Sequence, residues 1–236
     1  MPAVTLRRIG ILGGMGPEAT VLLMQRLLAA IPARDDADHI PLIVDQNTQV
    51  PSRIARLIDG TGDDPAPVLV TMAKRLQAAG AEALAMPCNT AHHFAAQIRS
   101  STPLPFLDMV EASVARARKL ADGAEPIGIL GSPALQRIGL FDQAFAGTEL
   151  MPAYPRDSHA LLQAIRSIKA VGSTDPARAA LESASSELER RGARVQLIAC
   201  TEFSLISSAV PQRTIAIDTL DVLVEAIVDF AQGTLS

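Results

Sequence analysis

Ile9-Gly10-Ile11-Leu12-Gly13-Gly14 returns far down the chain as Ile127-Gly128-Ile129-Leu130-Gly131-Ser132. Each copy is a short apolar, β-rich run ending in small residues, the pattern of a buried parallel strand that passes into a turn. Pro17, a favoured first helical residue, follows the first copy, and Val21, Met24, Leu28 and Ile31 then recur at helical spacing. Further out, Ile40–Val44 reads as a second strand, Glu82–Met86 as a later one, and Asp59–Pro67 as the most evident loop. Short strands alternating with amphipathic helices predict an α/β protein with mainly parallel sheets.

The repetition extends beyond the first strand. Leu76-Gln77-Ala78-Ala79-Gly80-Ala81 ends a helix and leads, eight residues past its glycine, to Cys88. Leu188-Glu189-Arg190-Arg191-Gly192-Ala193 leads, again eight residues past its glycine, to Cys200. After each cysteine come a helical pattern and an apolar strand ending in Asp108 or Asp218, both read as helix caps. Glu111, three residues after Asp108, completes a capping-box-like pattern. Generic α/β halves share strands and glycine caps, but that does not explain why both cysteines of the chain occupy one repeat position. The expectation is two similar three-layer α/β domains related by a pseudo-twofold axis, with a cleft between them. Residues 1–108 plus 219–236 form the first and 109–218 the second, the last helix, from Thr219, crossing back.

Composition narrows the function classes. At 48% apolar and 19% charged, the 236-residue chain has material for a core. No tryptophan, one tyrosine and a net charge of −4 leave neither stacking platforms nor a basic footprint for nucleic acid. No apolar run approaches the roughly 18–20 residues that would span a bilayer. Arg7-Arg8 before Ile9–Leu12 imitates the start of a signal peptide, but the apolar stretch is short and runs into Gly13-Gly14. A cytoplasmic protein without a membrane partner is expected, its two cysteines thiols rather than a disulfide.

Ligands of parallel α/β sheets bind beyond the carboxyl ends of strands. Cys88 follows Leu84-Ala85-Met86-Pro87 and precedes a helix opened by Asn89-Thr90; Cys200 follows Val195–Ala199 and precedes one opened by Thr201-Glu202. A helix N-terminus lowers the pKa of a nearby thiol and offers N–H groups to a carboxylate, so thiolate near neutral pH is expected. Asn89, Thr90 and Thr201 are short polar side chains suited to extend that grip. Two matched acid/base groups flanking one carbon are what inversion of a stereocentre requires: one face loses a proton to thiolate and the other gains one from thiol. N–H groups and fixed dipoles would stabilise the carbanion.

At these residues the chain resembles the aspartate/glutamate racemase family, particularly its aspartate racemase branch. The matching motifs are Gly13-Gly14-Met15-Gly16-Pro17, Met86-Pro87-Cys88-Asn89-Thr90-Ala91-His92 and Cys200-Thr201-Glu202, in order along nearly the whole length. The resemblance implies an active site between two α/β domains, Cys88 and Cys200 as the acid/base pair, no pyridoxal phosphate or other cofactor, and a homodimer. It also implies that Arg53, in Gln49-Val50-Pro51-Ser52-Arg53, grips the substrate, and that Lys169, in Ile168-Lys169-Ala170-Val171-Gly172, binds it. Ser52 stands where the family commonly has an aspartate, which changes how the arginine is held.

Other chemistries compete at single points. Gly10-x-x-Gly13-Gly14-x-Gly16 with Asp45 invites a dinucleotide, yet its spacing is not G-x-G-x-x-G. Cys88 with His92 and His93 suggests zinc or a thiol–imidazole nucleophile, either of which leaves Cys200 idle. His92 reads equally as a substrate-site residue or as one bonding to backbone. Lys74, Lys119 and Lys169 lie in no recognisable phosphate loop for pyridoxal phosphate. Glu202 could carry a proton relay or simply complement its helix N-terminus, and is read as a substrate-site residue. The expected activity is inversion at the α-carbon of a free amino acid. Arg53 and Lys169 would make the cleft cationic and favour a dicarboxylic substrate such as aspartate or glutamate. The competing readings are a non-catalytic two-lobed binder of small carboxylates, or a related isomerase or decarboxylase of a small acid.

Overall fold

The computed structural model describes residues 6–123 and 125–234. The first run of elements is β1 (Ile9–Gly13), α1 (Pro17–Ala30), β2 (Leu42–Gln46), α2 (Ala66–Ala78), β3 (Ala83–Ala85), α3 (Ala95–Ser101), β4 (Phe106–Leu107) and α4 (Met109–Leu120). The second is β5 (Pro126–Gly131), α5 (Pro133–Arg137), α6 (Leu140–Ala144), β6 (Met151–Ala153), α7 (Ser158–Val171), α8 (Asp175–Arg190), β7 (Val195–Ala199), α9 (Thr201–Ser204), β8 (Ile215–Asp218) and α10 (Thr219–Gln232). Two four-stranded sheets result, ordered β2-β1-β3-β4 and β6-β5-β7-β8, with every neighbouring pair parallel. The α/β class and the duplicated plan expected from the repeat are both observed.

Equivalent residues also make equivalent contacts. A Cβ on Gly10 would lie 3.1 Å from the Leu76 Cβ, and one on Gly128 would lie 3.1 Å from Leu188 Cδ1. Leu76 and Leu188 head the two repeated helix ends, so each helix is pressed against its strand at a residue that must lack a side chain. Alternation along the strands buries both sheet faces. Ile9 and Ile11 pack with Leu23 and Leu27, while Leu12 and Leu84 pack with Leu69 and Leu76 on the other side. In the second sheet, Ile127 and Ile129 face one cluster and Leu130 and Ile198 the other.

Two helices lie where the halves meet. In α10, Leu220, Leu223 and Ile227 join the cluster of Ile9 and Ile11, while Val222 joins that of Ile129 and Val195. In α4, Met109 packs with the first sheet and Val110, Val114 and Ala117 with the second. Arg26 of α1 adds a polar strap, donating to Asp218 at 2.7 Å, to Asp221 at 2.8 Å and to the Ser204 carbonyl at 3.0 Å.

Local differences from the sequence reading have simple causes. The second strand starts at Leu42 rather than Ile40: Pro41 has no N–H to donate, and its carbonyl accepts from Ile9 N–H at 3.0 Å before the ladder begins. Asp108 caps α4 by accepting from the N–H groups of Val110 and Glu111, and Asp218 caps α10 through Leu220. Glu111 does not complete a capping box; its carboxylate accepts from Arg99 at 2.9 Å. Among the described residues, no helix is long and apolar enough to cross a membrane.

Candidate active site

The segments that follow the inner strands β1, β3, β5 and β7 converge on one cavity of about 650 Å³. Gly14, Met15 and Gly16 come from the end of β1, Cys88 and Thr90 from beyond β3, Ser132 from beyond β5, and Cys200 and Glu202 from beyond β7. Arg53 enters from the start of the helical turn after β2, and Lys169 from the last turn of α7. The cavity therefore sits at the carboxyl ends of both sheets, as parallel topology predicts. Both cysteines line it, each with 8% of its surface exposed and neither in a disulfide.

The surroundings of the two sulfurs differ. Cys200 donates its thiol to Glu202 Oε2 at 3.0 Å, and Lys169 Nζ forms an ion pair with Oε1 of the same carboxylate. Burial pushes the Cys200 thiol well above its ordinary pKa; the charge of Glu202 and the hydrogen bond to it push further, and Lys169 only partly opposes them. This corrects the expectation of a lowered thiol at Cys200. The helix after Cys200 has only four residues, and the turn after Cys88 is a 3₁₀ turn over Thr90–Phe94, with α3 beginning only at Ala95. Such short elements supply little dipole, so burial and a neighbouring carboxylate decide for Cys200. For Lys169, burial works against the ammonium, but the Glu202 carboxylate outweighs it by charge and hydrogen bond, and charge on Cys200 and Cys88 adds to it. Its pKa is raised, and it stays charged at neutral pH.

Arg53 is held differently. Its guanidinium donates to the carbonyls of Val50 (3.2 Å), Pro51 (2.9 Å) and Met15 (3.2 Å), and its Nε is buried without a partner. No carboxylate pairs with it among the described residues. The expectation of a cationic cleft is thereby corrected. Of its two cations, Lys169 is answered by Glu202, and Glu18 also lines the wall.

Of the three short polar side chains expected to grip a carboxylate, only Thr90 reaches the cavity. Asn89 and Thr201 lie behind the wall, each 2% exposed. Asn89 donates to Thr219 Oγ1 at 2.9 Å, linking the Cys88 segment to the start of α10, and its Oδ1 has no partner. Ser132, Thr48, Gln49 and Glu18 line the cavity although the sequence reading did not single them out as site residues. Ser132 had a signal, since it is the repeat counterpart of Gly14, and Gln49 lies in the segment that carries Arg53.

His92 turns away from the sulfur. Its Nδ1–H donates to the Cys88 carbonyl at 2.9 Å and its Nε2 accepts from Met109 N–H at 3.2 Å, so both ring nitrogens serve backbone groups. The ring thus ties the cysteine loop to the start of α4 and has no nitrogen left for zinc or for the thiol. Asp45, the candidate ribose ligand, is held in an ion pair by Arg75 at 2.6 Å.

Burial depresses the His92 pKa, with Asp108 opposing it more weakly. The folded state binds this proton less readily than the unfolded chain, so the contribution to stability is full above the unfolded value of about 6.5 and shrinks as pH falls below it. His92→Ala is expected to cost about 1–3 kcal/mol for each backbone group left unpartnered. Urea titrations at several pH values would read both effects: the loss at pH 8, and a flatter dependence below pH 6.5 in the variant.

Comparison with known proteins bears on this arrangement. The model of the Asp/Glu/hydantoin racemase family matches residues 12–227. The chain is 23% identical over 225 residues to the broad specificity amino-acid racemase RacX of Bacillus subtilis (strain 168), covering 93% of this chain and 96% of that protein. Among solved structures, an aspartate racemase from Picrophilus torridus superposes with a TM-score of 0.83 at 24% identity, covering 95% of this chain and 94% of the other. An aspartate racemase homologue from Pyrococcus horikoshii OT3 gives 0.73 at 20%, covering 96% and 99%. At these identities the two structures establish a shared fold.

Proposed function

The chain belongs to the Asp/Glu/hydantoin racemase family, and from that premise we propose that it inverts the α-carbon of a free amino acid by proton transfer between Cys88 and Cys200, without a cofactor. The observation that carries this reading is the meeting of the chain's two thiols, one from each repeat, on a single cavity. The relative described as a broad specificity amino-acid racemase supports an amino acid as the substrate class.

In this mechanism one sulfur begins as thiolate and the other as thiol. Cys200, buried and donating to Glu202, is set as the thiol, so the first enantiomer accepted is the one whose α-hydrogen faces Cys88. Cys88 thiolate takes that proton, and Cys200 gives its own to the opposite face of the carbanion. For the reverse reaction Cys200 must begin as thiolate. Its proton passes to Glu202 Oε2 while Cys88 takes one from solvent; the Cys200 sulfur then abstracts the α-hydrogen, and Cys88 gives its proton to the opposite face of the carbanion. The Lys169 ammonium offsets the negative charge in either state. Arg53 anchors a substrate carboxylate, with Thr90 beside it. Asn89 and Thr201 support the two cysteine segments from behind.

We assign residues 1–108 with 219–236 to one domain and 109–218 to the other, supported by the packing of α10 on the first sheet. Assembly as a homodimer is part of the same proposal.

The test is turnover of single enantiomers in D₂O. Early in the reaction the inverted product should carry deuterium at Cα while the recovered starting enantiomer keeps its protium, because separate groups remove and return the proton. Binding without any loss of the α-proton would leave a two-lobed binding protein and end the proposal.

A further inference from the structure

The charges on the cavity wall cancel. Lys169 and Arg53 are positive, and Glu202 and Glu18 are negative. Lys169 is paired with Glu202, so its positive charge is already answered before a substrate enters. A Cβ on Gly16 would lie 3.3 Å from both Lys169 Nζ and Glu202 Oε1, so the pair is packed against the backbone of the opposite half. That leaves Arg53. Its guanidinium gives three N–H groups to carbonyls, and with Nε buried only an edge at Nη2 is left to face the cavity. One such edge suits one carboxylate, and every amino acid already brings its α-carboxylate.

A second carboxylate, on the side chain, would enter with no cation of its own, facing Glu202 and a catalytic thiolate. Burying it unpaired is unfavourable. The wall holds no further cation: its other side chains are apolar, as at Met15, Val50, Ile54, Ile165 and Leu205, or neutral and polar, as at Thr48, Gln49, Ser52, Thr90 and Ser132. A second hollow of about 440 Å³ shares Pro17, Glu18 and Leu205 with the cavity, and Val21 and Leu22 add to its apolar lining. This is more room than a short dicarboxylate fills, and its walls reward removal of methylene and methyl groups from water.

Resting on the racemase reading above, we infer that the preferred substrates are amino acids with neutral, mainly apolar side chains of about methionine or leucine size, and that aspartate and glutamate are poor substrates. The side chain lies along Ile165 and Leu205 toward Val21. The Lys169–Glu202 pair sets the preference by withholding a second cation.

The experiment compares kcat/KM of the full chain for single enantiomers of methionine, leucine, glutamate, aspartate and lysine, read by α-proton exchange in D₂O. Methionine and leucine should exceed both acidic amino acids and lysine by about tenfold or more. Equal or faster turnover of glutamate, aspartate or lysine would overturn the inference while leaving the racemase reading intact. Calorimetric binding to a Cys88→Ser/Cys200→Ser double variant separates the two. If no amino acid is turned over, the racemase reading fails, and the binding order still decides the pocket: methionine tighter than glutamate upholds the inference, and any other order, or no binding, refutes it. Glu202→Gln frees Lys169, so it should shift the binding order toward glutamate; an order that does not move would defeat the charge account.

Discussion

Serine at position 88 or 200 is expected to stop racemisation while sparing proton exchange on one face. A serine hydroxyl is far too weak an acid to stand as an oxyanion near neutral pH, so the variant loses one of its two bases. General acid/base groups contribute about 10²–10⁴-fold, and inversion should fall by an amount in that range. In Cys200→Ser, Cys88 can still take the α-proton of the enantiomer that faces it and return a solvent deuteron to the same side. That amino acid then gains deuterium without changing hand. Cys88→Ser should do the same for the opposite enantiomer. Circular dichroism follows inversion, and mass spectrometry of chirally separated material follows exchange. Two variants that both racemise normally would remove the cysteines from the mechanism. The two need not be equal in severity, because only Cys200 has a carboxylate at 3.0 Å to receive its proton.

The second large effect belongs to Gly14→Ala. Gly14 has φ +89°, and a Cβ there would lie 2.5 Å from the Asn47 carbonyl oxygen and 2.8 Å from its nitrogen, both backbone atoms that cannot rotate aside. Its own N–H donates to Thr20 Oγ1 at 2.9 Å, which fixes the turn from β1 into α1. Backbone strain and overpacking each cost about 1–3 kcal/mol, so a combined loss of about 2–6 kcal/mol is expected against a total stability of roughly 5–15 kcal/mol. For a chain of this size that lowers the melting temperature by on the order of 10 °C. Gly60→Ala is the control: φ is +71°, but nothing lies within 4 Å of the added Cβ, so only strain of about 1–2 kcal/mol remains. Thermal and urea unfolding of the two variants would separate crowding from strain. Equal losses would contradict the close approach of the Asn47 loop.

Much of the architecture is legible in the chain because its signals are local. Ile9–Leu12 and Ile127–Leu130 announce strands by composition, and Pro17 and Asp218 mark helix starts by chemistry confined to a few residues. The repeated distance from glycine to cysteine puts Cys88 and Cys200 at corresponding strand ends. What periodicity misses is equally local in cause: Pro41 delays a strand by withholding a donor, and a 3₁₀ turn replaces the helix expected at Asn89-Thr90.

The electrostatics of the cleft are another matter. Nothing in the neighbourhood of Lys169 along the chain says that its ammonium meets Glu202, that Gly16 of the other half backs the pair, or that Arg53 is caged by carbonyls from two loops. Asn89 and Thr201 sit beside the cysteines in sequence yet behind the wall in space. Pattern along a chain specifies which elements form and which residues end them. Charge, burial and proton affinity depend on distances through space between segments far apart in sequence, and those exist only once the two halves have packed together.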